Sequence, residues 1–418
     1  MFDLVKVCEE TKKASYELGK MNTNKKNEVL LKVADALEKN SAIIISENKK
    51  DVERGVSNHM SAGIIDRLIL DEKRISAMAD GIRQIALLDD PIGKVISMSK
   101  RPNGLIIGKR RVPIGVVGII YEARPNVTSD AFALCFKTSN ATILKGGSDA
   151  IDSNRAIVSI IKDVLKQEAV NDNVVNFIDS VERSVTTEFM KMNKYVDLLI
   201  PRGSASLIKA TVENSRIPVI ETGTGNCHVY VDSYGDLKKA TDIIINSKTQ
   251  RIGVCNACES LVIHKDVLEE YFPVIAKSLI DKGVEIRCDD AAYKIGLKEG
   301  INVKKATDED FYTEYLDYII SVKTVNSIKE AIEHINIHNT KHSEAIITEN
   351  YTNAQMFLDE IDAACVYVNA STRFTDGNEF GFGAEIGIST QKIHARGPMG
   401  LNELTSYKYI IYGDGQIR

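Results

Sequence analysis

No stretch of this 418-residue sequence is apolar for long enough to span a bilayer. The longest apolar runs, such as VVGII (116–120), are far too short. The start, MFDLVKVCEETKKASY, has no apolar core of a signal peptide, because charges interrupt it at once. A soluble, cytoplasmic protein is therefore expected. A basic excess is also lacking: 53 Lys and Arg face 58 Asp and Glu, for a net charge of −5. A nucleic-acid binder would carry a Lys/Arg stripe, and here the two signs are interspersed as on solvated faces. No internal repeat and no low-complexity tract occurs. Tryptophan is absent, which decides nothing. Seven cysteines, an odd number spread over the chain, read as reduced thiols and not as a disulfide framework. The glycine pattern G-x-G-x-x-G of many nucleotide folds is missing as well.

What is present is enough for two or three domains. The first hundred residues read as helices. In NEVLLKVADALEKNSAIIISENKKDVERGV, Val29, Leu30, Val33, Leu37 and Ile44 recur at helical spacing with charges opposite. At 104–120 the composition turns to β-branched residues in short runs, which favours strands. A regular alternation follows: strand ATILKGG (141–147), helix 152–169, strand 173–178, helix 185–193, strand 195–201, helix 204–214, strand IPVIET (217–222). A second such series starts at CHVYVD (227–232) and runs to ACVYVN. Continuous apolar strands separated by amphipathic helices indicate parallel sheets covered on both faces. The expected fold is α/β, with two doubly wound domains in series. The last strand, within TSYKYIIYGDG (405–415), follows a glycine-rich segment and could leave the body as an arm.

Two cysteines three positions apart, Cys255 and Cys258, lie in NSKTQRIGVCNACESLVIH (246–264). They could be a redox pair, half of a metal site, or one nucleophile beside a core cysteine. A thioredoxin-type pair opens a helix near the start of a small βαβ domain. These two precede a strand deep in the chain. A structural zinc needs a second Cys or His pair at close spacing. No second C-x-x-C exists, His338 and His342 are distant in sequence, and no metal is expected. Cys255 follows Gly253 in a polar loop that a substrate could reach, whereas Cys258, beside ESLVIH, fits a packed thiol. Gly146 and Gly147, between a strand and a helix, are weak candidates for a phosphate turn.

Three segments carry a resemblance: YEARPNVTSDAFALCFKTSNATILKGGSDA (121–150), IPVIETGTGNCHVYVD (217–232) and KTQRIGVCNACESLVIH (248–264). They resemble the aldehyde dehydrogenase superfamily and, within it, the family of gamma-glutamyl phosphate reductases. VNSIKEAIEHINIHNTKHSEAI (325–346) fits that family's signature except at Asn339, where Gly or Ser is usual, and the C-terminal 46 residues fit almost throughout.

The resemblance implies an aldehyde dehydrogenase-like fold. Residues 1–104 and 121–224 would form the dinucleotide domain and 225–395 the catalytic domain. Residues 105–120 and 400–418 would form an oligomerisation arm that builds a homo-oligomer, dimer or tetramer. It implies NADPH-dependent reduction of L-glutamate 5-phosphate to the semialdehyde, with Cys255 as nucleophile and Asn126 as oxyanion donor. Glu221 matches the superfamily's general base. Because phosphate and not water is the partner of the acyl group, it would assist thiol deprotonation or position the cofactor instead. Cofactor contacts would come from Lys145, Gly146, Gly147, Ser148, Gly203 and Ser204. Arg124 and Arg373 are candidates for the substrate's carboxylate or phosphate, since guanidinium binds such groups bidentately. Two rivals stay open: a hydrolytic NAD-dependent aldehyde dehydrogenase, and a catalytically silent partner of glutamate 5-kinase.

Overall fold

A computed structural model describes residues 2–418. The chain divides into two compact units, residues 1–222 with 381–387 and 399–418, and residues 223–380 with 388–398.

The first unit opens with helices through Leu87. The chain then forms β1 (Val95–Lys100), β2 (Ile106–Pro113), β3 (Val116–Tyr121), β4 (Ala141–Gly146), β5 (Val175–Phe177) and β6 (Leu198–Arg202). Strand β1 lies inside the hundred residues expected to be helical. Its side chains are exposed throughout, so VISMSK presents no helical apolar stripe and no buried face.

Strands β3 to β6 form a parallel sheet in the order β5-β4-β3-β6. Every residue of β3 and β4 is buried. Residues 116–120, placed in the arm by the sequence reading, therefore belong to the interior of this unit. Their unbroken run of Val, Gly and Ile suits a strand covered on both faces, not one facing solvent. Val116, Ile120, Ala141, Ile143 and Leu199 pack with Cys8 and Phe189 from flanking helices. Residues 217–222 are less regular than expected. Pro218 has no N–H to give, and the segment joins β6 through the Leu199 N–H to the Pro218 carbonyl, the Ile220 N–H to the Leu199 carbonyl and the Thr222 hydroxyl to the Pro201 carbonyl, without forming a full strand.

In the second unit lie β7 (Cys227–Val231), β8 (Cys258–His264), β9 (Glu285–Cys288), β10 (Lys304–Lys305), β11 (Ile319–Val325), β12 (Ser343–Ile347) and β13 (Cys365–Val368). They form a seven-stranded parallel sheet in the order β10-β9-β11-β8-β7-β12-β13. Both faces are covered. Val229, Val231, Leu261 and Ile263 enter one core, while Tyr230, Val262 and Ile346 enter the other. That double burial is why these strands carry consecutive apolar residues, Val229–Val231 in β7 and Leu261–Ile263 in β8, beside buried polar residues at their amino ends. A short antiparallel pair, β14 (Ile388–Ser389) and β15 (Gly397–Pro398), closes this unit.

The chain returns to the first unit for β16 (Thr405–Tyr412), which pairs antiparallel with β2 from Thr405 opposite Pro113 to Tyr412 opposite Ile106. The sheet β1-β2-β16 carries exposed Val95, Ile96, Met98, Tyr409 and Ile411. No helix among the described residues is long and apolar enough to cross a membrane.

Candidate active site

In the second unit the chemistry-bearing residues gather at the amino ends of the strands. The helix Leu237–Thr249 ends before a loop that leads into β8, and this loop carries Cys255. All seven cysteines are thiols, and Cys255 alone among them is partly exposed. Its backbone is locked from below. A Cβ on Gly225 would stand 1.4 Å from the Cys255 carbonyl oxygen and 2.3 Å from its carbonyl carbon, so only glycine fits there. The Cys227 thiol donates to the Cys255 carbonyl at 3.2 Å. Asn256 donates to the Thr375 carbonyl at 3.0 Å, and its own carbonyl accepts from Thr372 Oγ1 at 2.7 Å. The loop thus offers a side chain outward while its backbone is held on every side the neighbours reach.

Cys258 opens β8 and is 0% exposed. Its thiol donates to the Ser260 carbonyl at 3.4 Å, and burial pushes it up to about 12. A thiol so placed does not ionise near neutrality and does not act as a nucleophile. The two cysteines of the pair therefore occupy different environments, as their sequence neighbours suggested.

Arg373 lies beside the Cys255 loop. Its Nε donates to Gln250 Oε1 at 2.8 Å and its Nη1 donates to Asn256 Oδ1. Burial, then the charge of Arg251, pulls the guanidinium below its usual value, and the Cys255 sulfur acts the other way. Arg373 thus brings a guanidinium charge to the loop that carries Cys255.

Glu314, which sequence reasoning missed, accepts the Gly225 N–H at 2.6 Å, and burial raises its carboxyl above the usual range. Nothing in YTEYLD separates this glutamate from a surface one. Gly225 was visible in TGTGN, but the need for glycine comes from a loop about thirty residues further on. His338 and His342 do not form one unit. The His338 ring packs on Tyr312 and His334, while His342 is fully buried beside Ser343.

In the first unit the corresponding residues lie at the carboxyl ends of the strands. Asn126 starts the helix Asn126–Lys137, and its amide donates to Asp130 Oδ2 at 3.0 Å. Burial pushes Asp130 up to about 6, against the Asn126 hydrogen bond and the Arg202 charge. Arg124, two residues before, is exposed. Glu221 is half-buried near the end of this unit's first segment.

Lys145, at the end of β4, is 6% exposed. Its ammonium donates to the Gly146 carbonyl at 2.7 Å, and burial lowers it from the usual lysine value. Gly146 lets β4 approach the buried Asn154, whose amide nitrogen would stand 2.2 Å from an added Cβ. Ser148 begins a short 3₁₀ turn and is exposed. Ser204 is the N-cap of the helix Ala205–Asn214. There the Glu122 carboxylate accepts from the Ser204 N–H at 2.7 Å and from Ser204 Oγ at 2.9 Å. A helix N-terminus that already holds an anion, beside a buried lysine with a carbonyl for its partner, fits a dinucleotide's diphosphate and ribose. The Lys145–Ser148 turn and the Gly203–Ser204 turn meet at Glu122, since a Cβ on Gly147 would lie 3.6 Å from the Glu122 Cα.

The family model described as "Aldehyde dehydrogenase family" matches residues 3–294 and 306–410. The gamma-glutamyl phosphate reductase of Agathobacter rectalis is 61% identical over 418 residues, 100% of both chains. The crystal structure of gamma-glutamyl phosphate reductase from Thermotoga maritima superposes with a TM-score of 0.97 at 46% identity, covering 100% of both chains. An acetylating aldehyde dehydrogenase from Geobacillus thermoglucosidasius shares the fold at 18% identity, with a TM-score of 0.71 over 99% of this chain and 97% of that one.

Proposed function

The chain belongs to the aldehyde dehydrogenase family and, within it, to the gamma-glutamyl phosphate reductases, and on that premise we propose that it reduces L-glutamate 5-phosphate to L-glutamate 5-semialdehyde and phosphate with NADPH, the second step of proline biosynthesis from glutamate. One observation carries the mechanism: Cys255 is the partly exposed thiol, on a backbone that Gly225 and Cys227 hold still.

An acyl phosphate is an activated acid. The Cys255 thiolate attacks the γ-carbonyl, the acyl–oxygen bond breaks, and phosphate leaves with that electron pair. The product is a thioester on Cys255. The nicotinamide, when bound, supplies the hydride that reduces this thioester. The resulting thiohemiacetal collapses to the aldehyde and returns the thiolate. Both tetrahedral species carry an oxyanion, for which the Cys255 N–H and the Asn126 amide are the donors. Arg373 supports the thiolate and, with Arg124, receives the substrate's anionic groups. Glu221 assists thiol deprotonation or cofactor placement. With the dinucleotide bound, Lys145 and Ser148 would hold the adenosine ribose or its 2′-phosphate, with Gly146 and Gly147 shaping that turn, and Gly203 and Ser204 would lie near the nicotinamide and diphosphate.

The exposed edge strands β1 and β16, rich in apolar side chains, fit pairing with a second copy, so a homo-oligomer working in the cytoplasm completes the reading. A kinase that makes the unstable acyl phosphate, glutamate 5-kinase, is the partner whose proximity would protect it.

The test runs the reaction in reverse, with semialdehyde, NADP and phosphate. Reduced cofactor should form only when phosphate is present, and Cys255→Ala should form none. Turnover without phosphate would move the protein to the hydrolytic dehydrogenases. Turnover by the Cys255→Ala variant would end the thioester mechanism.

A further inference from the structure

We propose that Glu122 is an internal competitor for the cofactor's diphosphate, a carboxylate that must leave the N-terminus of the helix Ala205–Asn214 when the dinucleotide binds and so sets its affinity. The proposal rests on the dinucleotide reading given above and deepens it.

Topology points to the place. In the order β5-β4-β3-β6 the chain winds from β3 through β4 to β5, then crosses back to lay β6 on the other side of β3. Where winding reverses in an open parallel sheet, the crevice outside the carboxyl ends of the strands receives the ligand. Glu122 is the first residue after β3, and Ser204 follows β6 by two residues. Both therefore line the reversal point.

Chemistry says what occupies it. The Glu122 carboxylate takes the Ser204 N–H and the Ser204 hydroxyl, the donors and dipole end that a bound phosphate would use. Its Oε2 stands 2.5 Å from where a Cβ on Gly203 would be, so the missing side chain is what admits the carboxylate. The Glu122 N–H is in turn tied to the Arg202 carbonyl at 3.2 Å, which brings the side chain back over the turn. The neighbouring turn supplies the second observation. Lys145 is 6% exposed, and its hydrogen bond goes to the Gly146 carbonyl and not to a carboxylate. A lysine amine has more than one N–H, and this one gives its hydrogen bond to a backbone carbonyl, so ribose hydroxyls or a phosphate brought from outside can accept from it as well. The crevice thus combines a buried lysine suited to the ligand with an acid that sits on the ligand's other donors.

Two anions cannot share one N–H and one hydroxyl. Diphosphate binding has to rotate Glu122 away, and its charge then stays close to the phosphates. A plain capping role makes a different forecast, because a cap stabilises the helix and is indifferent to the cofactor.

Full-length protein, Glu122→Gln and Glu122→Ala are titrated with NADPH by fluorescence, and with adenosine 2′-monophosphate, which lacks a diphosphate, in competition. Both variants should bind NADPH about three- to tenfold tighter at low salt, with a smaller gain at high salt. Affinity for adenosine 2′-monophosphate should stay as in the parent. Unchanged or weaker NADPH binding in both variants, with a lowered melting temperature, would make Glu122 a cap and overturn the proposal. An equal gain for adenosine 2′-monophosphate would also overturn it, because the effect would then not be on the diphosphate. A parent protein that binds neither NADPH nor NADH would refute the dinucleotide reading itself, and the proposal with it.

Discussion

The loop around Cys255 and the turn around Ser204 are both built on parallel sheets, yet they are held by opposite means. Cys255 sits at the amino ends of its strands and is fixed by backbone: a glycine with no room for a methyl group, a thiol on its carbonyl, an asparagine clasping the next turn. Ser204 sits at the carboxyl ends of its strands, and a side chain occupies its donors. A backbone clamp cannot be exchanged without refolding the loop. A carboxylate swings on three rotatable bonds. The first arrangement suits a nucleophile that must be in place before each turnover, and the second suits a ligand that arrives and leaves.

The comparison breaks first at Gly225. In Gly225→Ala the new methyl group meets the Cys255 carbonyl at 1.4 Å, so the loop has to move. Turnover should fall by roughly a hundredfold or more, while NADPH affinity, a property of the other unit, stays near the parent value. Activity within about threefold of the parent would mean that the clamp does not position the nucleophile.

Lys145→Met tests the other side. Methionine fills a similar volume and removes a buried charge, so the melting temperature should hold or rise. NADPH should bind about tenfold more weakly, the worth of one hydrogen bond to a charged group, and the rate of Cys255 alkylation should not change. Unaltered NADPH affinity would take Lys145 out of the cofactor site.

Cys258→Ala should do least. It removes one sulfur from a packed position, so stability should drop by about 1 kcal/mol and turnover by no more than about twofold. Loss of activity on the scale of Cys255→Ala would join the two cysteines into one functional unit after all.

Much of this was legible along the chain because it is local. The alternation of strands and helices survives in the linear pattern, since a strand buried on both faces is apolar at consecutive positions, as Val229–Val231 of β7 and Leu261–Ile263 of β8 are. The different fates of Cys255 and Cys258 were also local, one in a polar loop and the other at the head of an apolar strand. Strand β1 was hidden because its exposed face carries no apolar rhythm. The interior position of β3 was hidden for another reason. GVVGII reads as a strand in any setting, and whether it is covered depends on β4 and β6, which come later in the chain. Glu122 and Glu314 were not legible at all, because a glutamate is notable only through what it touches.

By itself, then, the sequence determined the fold class and the family and singled out Cys255 as the nucleophile to test, all from periodicity or from motifs contiguous in the chain. Tertiary structure decided which glycine must stay a glycine and which carboxylate sits on a helix N-terminus. Those depend on approaches of a few ångströms between residues tens of positions apart, and no local pattern encodes such a distance.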